Sequence, residues 1–231
     1  MRASWMLALT ATGLTAASAA PADEPKADPA PAKPAVAPKA ADGDAPLPEG
    51  FPDATDPDSI EVKLYPAYRS AVAKGEGMTT GSGDMMFWWL FNHIQQNEVA
   101  MTAPVINTYK TPGMAADPNM RGDLTMEFLY ERTTQGKAGK GTGPVEVVDH
   151  PAQRFVCLGF QGAMNPQTMA DGIKRLEAWI DEHQTEYVID GPPRRLGYHG
   201  PMTPVARRLW EVQIPVNSVE STEKVETAPK P

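Results

Sequence analysis

Between residues 59 and 216 the hydrophobic pattern of the chain changes period several times. Ile60, Val62 and Leu64 alternate with Glu61 and Lys63, the period of a strand with one face buried. Residues 68–73 predict a second strand, ahead of a glycine-rich stretch from Gly75 to Gly83. Over 85–96 the period becomes helical, with Asp84 placed to cap the first turn. Strands follow over 101–109 and 124–130. In the latter Leu124, Met126, Phe128 and Tyr130 take one face, and Thr125 and Glu127 the other. The sequence of periods then starts again, with short strands at 145–148 and 154–160. Asn165 stands as a cap before Pro166, and a helix runs to about Gln184 with Met169, Ile173, Leu176 and Ile180 along one face. Strands at 195–198 and 209–216 close the pattern; in the last, Trp210, Val212, Ile214 and Val216 alternate with Glu211 and Gln213.

The recurrence extends to residues. Ile60-Glu61-Val62 is followed by Pro66-Ala67-Tyr68-Arg69, and 85 residues later Val145-Glu146-Val147 is followed by Pro151-Ala152-Gln153-Arg154. Six matched positions at one offset mark an internal duplication. The predicted fold class is α+β: two ββαββ halves forming a distorted eight-stranded antiparallel barrel or sheet with two packed helices. Pro104 lies inside the strand expected at 101–109, where it cannot donate to a ladder, so an edge or a bulge is expected there.

The ends of the chain have a different composition. Residues 1–19 carry Arg2, an apolar run from Trp5 to Leu9, and the small-residue sequence Ala17-Ser18-Ala19, the layout of a secretory signal peptide cleaved before Ala20. The run is too short for a membrane span, so an exported protein, periplasmic or secreted, without stable membrane insertion is expected. Residues 20–58 hold ten of the 24 prolines and nine acidic against three basic residues, and predict a disordered, extended linker. Residues 217–231 predict a disordered tail. The folding region 59–216 is nearly neutral, with fifteen basic and seventeen acidic residues, which argues against a nucleic-acid partner. One cysteine, Cys157, excludes an intramolecular disulfide and multi-cysteine metal sites. Its place in a predicted strand suggests a small buried hydrophobe.

Four ordered strings carry a family resemblance. Ile60-Glu61-Val62-Lys63-Leu64-Tyr65-Pro66-Ala67-Tyr68, Phe91-Asn92-His93-Ile94-Gln95-Gln96-Asn97, Met101-Thr102-Ala103-Pro104-Val105, and the segment from Tyr198 to Val212 with Arg207-Arg208-Leu209-Trp210-Glu211 together resemble the SOUL heme-binding proteins over about residues 60–216. The resemblance implies a distorted β-barrel of two duplicated halves with two long helices. It also implies binding of heme or a related tetrapyrrole in a hydrophobic surface groove, without a universal catalytic residue. His93 departs from the family, which has tyrosine there.

The residues themselves point to candidate contacts. On a helical wheel Met86, Leu90, His93, Ile94 and Asn97 share one arc, and Trp88 and Phe91 lie on the far side with Asn92 and Gln95. Two large aromatics on a polar face either line a groove or are covered by a loop. Met85, Met86, Met101 and Met126 supply soft apolar surface suited to a flat macrocycle, and to a core equally well. His93 is open to two readings, a buried hydrogen-bonded residue or a ligand. His199, on a turn before Gly200-Pro201, is the freer candidate for an axial position. The expected heme-contact set is thus Trp88, Phe91, Met101, His93 and His199. His183-x-x-Glu186 offers two ligands, too few for a metal site, and no catalytic motif is present. Glu61 and Glu146 match across the repeat on polar strand faces. The alternatives to a non-catalytic tetrapyrrole binder are an envelope-protein docking module using the same aromatic patch, and an enzyme of small hydrophobic substrates.

Overall fold

The computed structural model describes residues 45–219, except 79–82 and positions 112, 115, 116, 118 and 120. The expected signal peptide, most of the linker and most of the tail lie outside the described residues. The elements in chain order are β1 (Ile60–Tyr65), β2 (Tyr68–Met78), α1 (Gly83–Gln96), β3 (Val105–Tyr109), β4 (Gly122–Leu129), β5 (Gly139–Lys140), β6 (Val145–His150), β7 (Gln153–Gln161), α2 (Pro166–Glu182), β8 (Tyr187–Ile189), β9 (Arg194–Gly197) and β10 (Leu209–Ser218). A 3-10 turn at Val205–Arg207 precedes β10. Among the described residues no helix is long and apolar enough to cross a membrane.

All ladders between these strands are antiparallel, in the order β1-β7-β10-β9-β3-β4-β2-β6-β5, with β8 paired to β10. The sheet is open, so the barrel alternative does not hold. It has ten strands rather than eight, because the short β5 and β8 are added to the duplicated set. Exchanging the two halves reverses the strand order and reproduces it, which places a pseudo-twofold axis between β3 and β9. The first strand of each half pairs with the second strand of the other: Ile60 faces Leu158 and, 85 positions on, Val145 faces Ala73. The repeat read from the sequence is therefore a repeat of register.

Three clusters form the core. Side chains of β7 and β10 on one face (Val156, Leu158, Val212, Ile214) pack under Met169, Leu176 and Ile180 of α2. Phe128, Tyr130, Val145 and Val147 pack under Met86, Leu90 and Ile94 of α1. On the face away from the helices, Tyr65, Tyr68, Phe155, Cys157, Leu196 and Tyr198 gather around Phe51. Asn165 accepts the Thr168 amide at 2.9 Å while Thr168 Oγ1 accepts the Asn165 amide at 3.1 Å, a reciprocal cap with Pro166 in the first turn. Gly172 interrupts α2 because a Cβ there would press on Val212 and Phe160 of the sheet. The close approach of helix and sheet offsets the ~1 kcal/mol that a mid-helix glycine costs.

Several expectations need correction. Leu64 is 61% exposed, since β1 is an edge strand and α2 packs on β7, β8 and β10 beyond it. Asp84 lies inside the first turn of α1 rather than capping it. Residues 101–104 are not strand; a cis Ala103–Pro104 bond precedes β3, which is an interior strand paired to β4 and β9. The folded region also starts earlier than residue 59. Leu47, Phe51 and Ala54 pack on the third cluster, and this strap is held by Asp58 N donating to Gly159 O at 2.9 Å and Ala103 N donating to Pro46 O at 2.9 Å.

The strap's deepest anchor is Glu211, which is fully buried. Its carboxylate accepts from the Thr55 amide and the Gln213 side chain, from Tyr65 OH at 3.4 Å and from Lys63 Nζ at 3.2 Å. Removing one partner of a buried charged pair costs about 3–5 kcal/mol. Gly159 allows the strap to lie flat, for a Cβ there would overlap the Thr55 and Asp56 carbonyls. Gly159→Ala is therefore expected to lower stability by about 1–3 kcal/mol and Glu211→Ala by about 3–5 kcal/mol in urea titration. Both should open residues 45–58 to limited proteolysis, and wild-type protection in both variants would contradict the anchoring role.

Candidate functional site

The core arc of α1 is as the wheel describes for Met86, Leu90, His93 and Ile94, all buried, whereas Asn97 lies just past the helix and is exposed. On the outward side Trp88 is 63% and Met85 48% exposed. Trp88 meets Phe91 edge-on at 5.7 Å, Phe91 stacks on Phe87 at 6.1 Å, and Phe87 meets Phe128 edge-on at 5.2 Å. The aromatics form a ladder from solvent to core, and the outermost ring has no covering loop among the described residues. Met101 is half-buried against the same cluster as Phe87 and Phe91.

His93 is held from three sides. Thr142 N–H donates to Nδ1 at 3.1 Å, which puts the ring proton on Nε2, 2.9 Å from Tyr130 OH. Asn97 Nδ2 reaches the His93 carbonyl at 2.8 Å, so one side chain closes the helix end and steadies the ring. With both nitrogens engaged and the side chain buried, His93 stands apart from the solvent-facing aromatics. His199 is half-buried on the turn between β9 and β10, where Nδ1 accepts the Leu209 amide at 3.0 Å. The structure thus puts Trp88 and Phe91 in ring contact on the outward side of α1, packs Met101 on the same core cluster as Phe91, buries His93 on the core arc, and uses His199 to fix a turn. His150 is likewise half-buried, stacked on Tyr68 at 4.4 Å.

Two groups invite a catalytic reading. Ser70 Oγ lies 2.8 Å from His150 Nε2 and 2.8 Å from Glu127 Oε2, and Glu127 is 3.3 Å from that same nitrogen. A nucleophile relay needs hydroxyl and carboxylate on opposite imidazole nitrogens; here both address Nε2 and Ser70 is fully buried. Cys157 is buried, and burial pushes its thiol up, away from the reactive thiolate.

A region that the periodicity did not single out lies between the helices. A cavity of about 350 Å³ there is lined by Phe87, Leu124, Met126 and Met169, with Asn107, Tyr109 and Arg195 from the central strands. Its signal in the sequence is faint. Asn107 and Tyr109 alternate in β3, but nothing local shows that Arg195, from the other half, stands beside them.

The architecture is that of a duplicated α+β domain with apolar surfaces on its helix-bearing face. Residues 53–215 match the SOUL heme-binding protein family, and the chain belongs to that family. Comparison with the curated proteins gives no match. Among solved structures, the C-terminal domain of EcmrR is similar at 16% identity and a TM-score of 0.57, covering 70% of this chain and 98% of that one. An uncharacterized conserved protein from Listeria innocua is 11% identical with a TM-score of 0.52, covering 70% and 93%. A hydrolase from the same organism is 10% identical with a TM-score of 0.50, covering 71% and 94%. At these identities the likeness is one of fold.

Burial depresses the basicity of His93, and of His150 against an opposing pull from Glu127. The unfolded chain therefore takes up protons near pH ~6.5 that the native state refuses. This contribution to stability is complete above that pH and is lost as pH falls through the folded-state values. The Tm is expected to drop between about pH 7 and about pH 5, and less steeply in His93→Gln, which removes one of the two imidazoles of depressed basicity. An unchanged slope in that variant would assign the acid sensitivity to other groups.

Proposed function

We propose that the protein is an exported, non-catalytic binder of heme or a related tetrapyrrole, which lies on the aromatic face of α1. The observation that carries this reading is Trp88, a large aromatic left 63% exposed at the end of a packed ring ladder, in a chain of a heme-binding family. Burying a planar apolar face at about 25 cal/mol per Å² is enough for micromolar affinity after association costs. Phe87, Phe91 and Met101 would extend the contact, and no Fe–N bond is needed at that strength. Heme itself would supply the redox and ligand chemistry of its iron, while the residues on this surface stack, orient and exclude water. Export is supported by the arrangement of Arg2, the apolar run and Ala17-Ser18-Ala19.

Hemin titration of the purified protein tests the reading through the Soret band and tryptophan quenching. Trp88→Ala and Phe91→Ala are each expected to weaken binding about tenfold, equivalent to ~1.4 kcal/mol, and His199→Ala to leave it within about twofold. No Soret shift at micromolar hemin would instead favour a docking surface for an envelope protein. Loss of binding in His199→Ala with the fold intact would make that residue a specific ligand. N-terminal sequencing of protein recovered from the host envelope is expected to begin at Ala20.

A further inference from the structure

The helices cover the flanks of the sheet and leave its middle open. α1 packs on β2, β4 and β6, and α2 on β7, β8 and β10, while the β3–β9 pair at the pseudo-twofold axis supplies the floor of the 350 Å³ cavity between the helix N-termini. The walls are Phe87, Leu124 and methionines 114, 126, 164 and 169. The floor carries one cation. Arg195 Nη2 donates to Asn107 Oδ1 at 2.6 Å, and Tyr109 lines the same floor. Arg195 Nε is buried without a partner, and among the described residues no carboxylate forms an ion pair with this side chain.

A guanidinium held in an apolar hollow by neutral groups alone is under-compensated, and each buried unsatisfied donor asks for a reason. Asn107 orients it without cancelling its charge. The two helices add the positive ends of their dipoles at the mouth, Gly83 on one side and Pro166 on the other. Asp84 is also at the mouth, but it is solvent-exposed, where its charge is screened. Methionine walls adapt to varied apolar shapes. The volume is at the lower end of the ~300–1,000 Å³ typical of ligand sites, which suits a ligand smaller than a tetrapyrrole.

We propose that this cleft is a second binding site, for a small amphipathic carboxylate whose acid group pairs with Arg195 and whose apolar body lies among the methionines. It shares Phe87 with the aromatic ladder but opens apart from Trp88, and it does not rest on tetrapyrrole binding there.

Calorimetric titration of the full chain with octanoate, 1-octanol and octylammonium tests it. Octanoate is expected to bind one-to-one, 1-octanol about tenfold more weakly, and octylammonium not at all. Arg195→Gln should reduce octanoate to the level of 1-octanol, and Met164→Trp at the rim should weaken both. Trp88→Ala should change neither. Equal binding of octanoate and 1-octanol by the wild type, absence of octanoate binding, or its loss in Trp88→Ala would each overturn the proposal. The wild-type comparison holds whether or not Arg195→Gln folds. Because hemin binding is read separately through Trp88, a failure here is distinguishable from a failure of the tetrapyrrole reading.

Discussion

Each half of the domain lacks a strand that only the other half can supply. β1 ladders onto β7 and β6 onto β2, with matching registers 85 residues apart. A ββαββ unit alone would leave its second strand without this neighbour and expose an unpaired edge. The exchange makes the duplicated unit obligatory, brings β3 and β9 together on the axis, and thereby sets the separation of the two helices. Both the position of the aromatic ladder and the hollow beside Arg195 follow from that pairing.

Local periodicity made most of the elements legible. The helix faces built from Met86, Leu90 and Ile94 and from Met169, Leu176 and Ile180 were readable because one stripe of each helix meets one sheet face. The outward polar faces of the strands were not. Glu127, Glu211 and Gln213 alternate with apolar residues, and all three are buried, because the face away from the helices is itself covered. A period-two pattern reports only that two faces differ, not that one is wet. The strap escaped for another reason. Its composition is that of the linker, and the packing of Phe51 depends on Tyr65 and Tyr68, contacts that composition does not encode.

The same limit applies to function. The outward position of Trp88 was readable from one helix wheel, whereas Phe91, placed on the same side, packs partly on the core cluster. His93 was recognisable as core, but its partners Thr142 and Tyr130 come from distant segments. The cleft was invisible because its floor is assembled across the repeat: Asn107 and Arg195 are adjacent through the β3–β9 ladder. Phe87 belongs to both the ladder and the cleft wall, so the two surfaces share one ring while presenting different chemistry, one uncharged and open, the other enclosed and cationic.

The strap carries a consequence for how the molecule is presented. Leu47, Phe51 and Ala54 lie on the side of the sheet away from the helices, and Glu211 clasps the strap at Thr55. From residue 45 to the clasp the chain therefore runs over the rear of the sheet. The aromatic ladder and the cleft lie on the opposite, helix-bearing side of the sheet, so the described part of the strap leaves both uncovered. A pull on the N-terminus would load the clasp before it reached the ladders of the sheet.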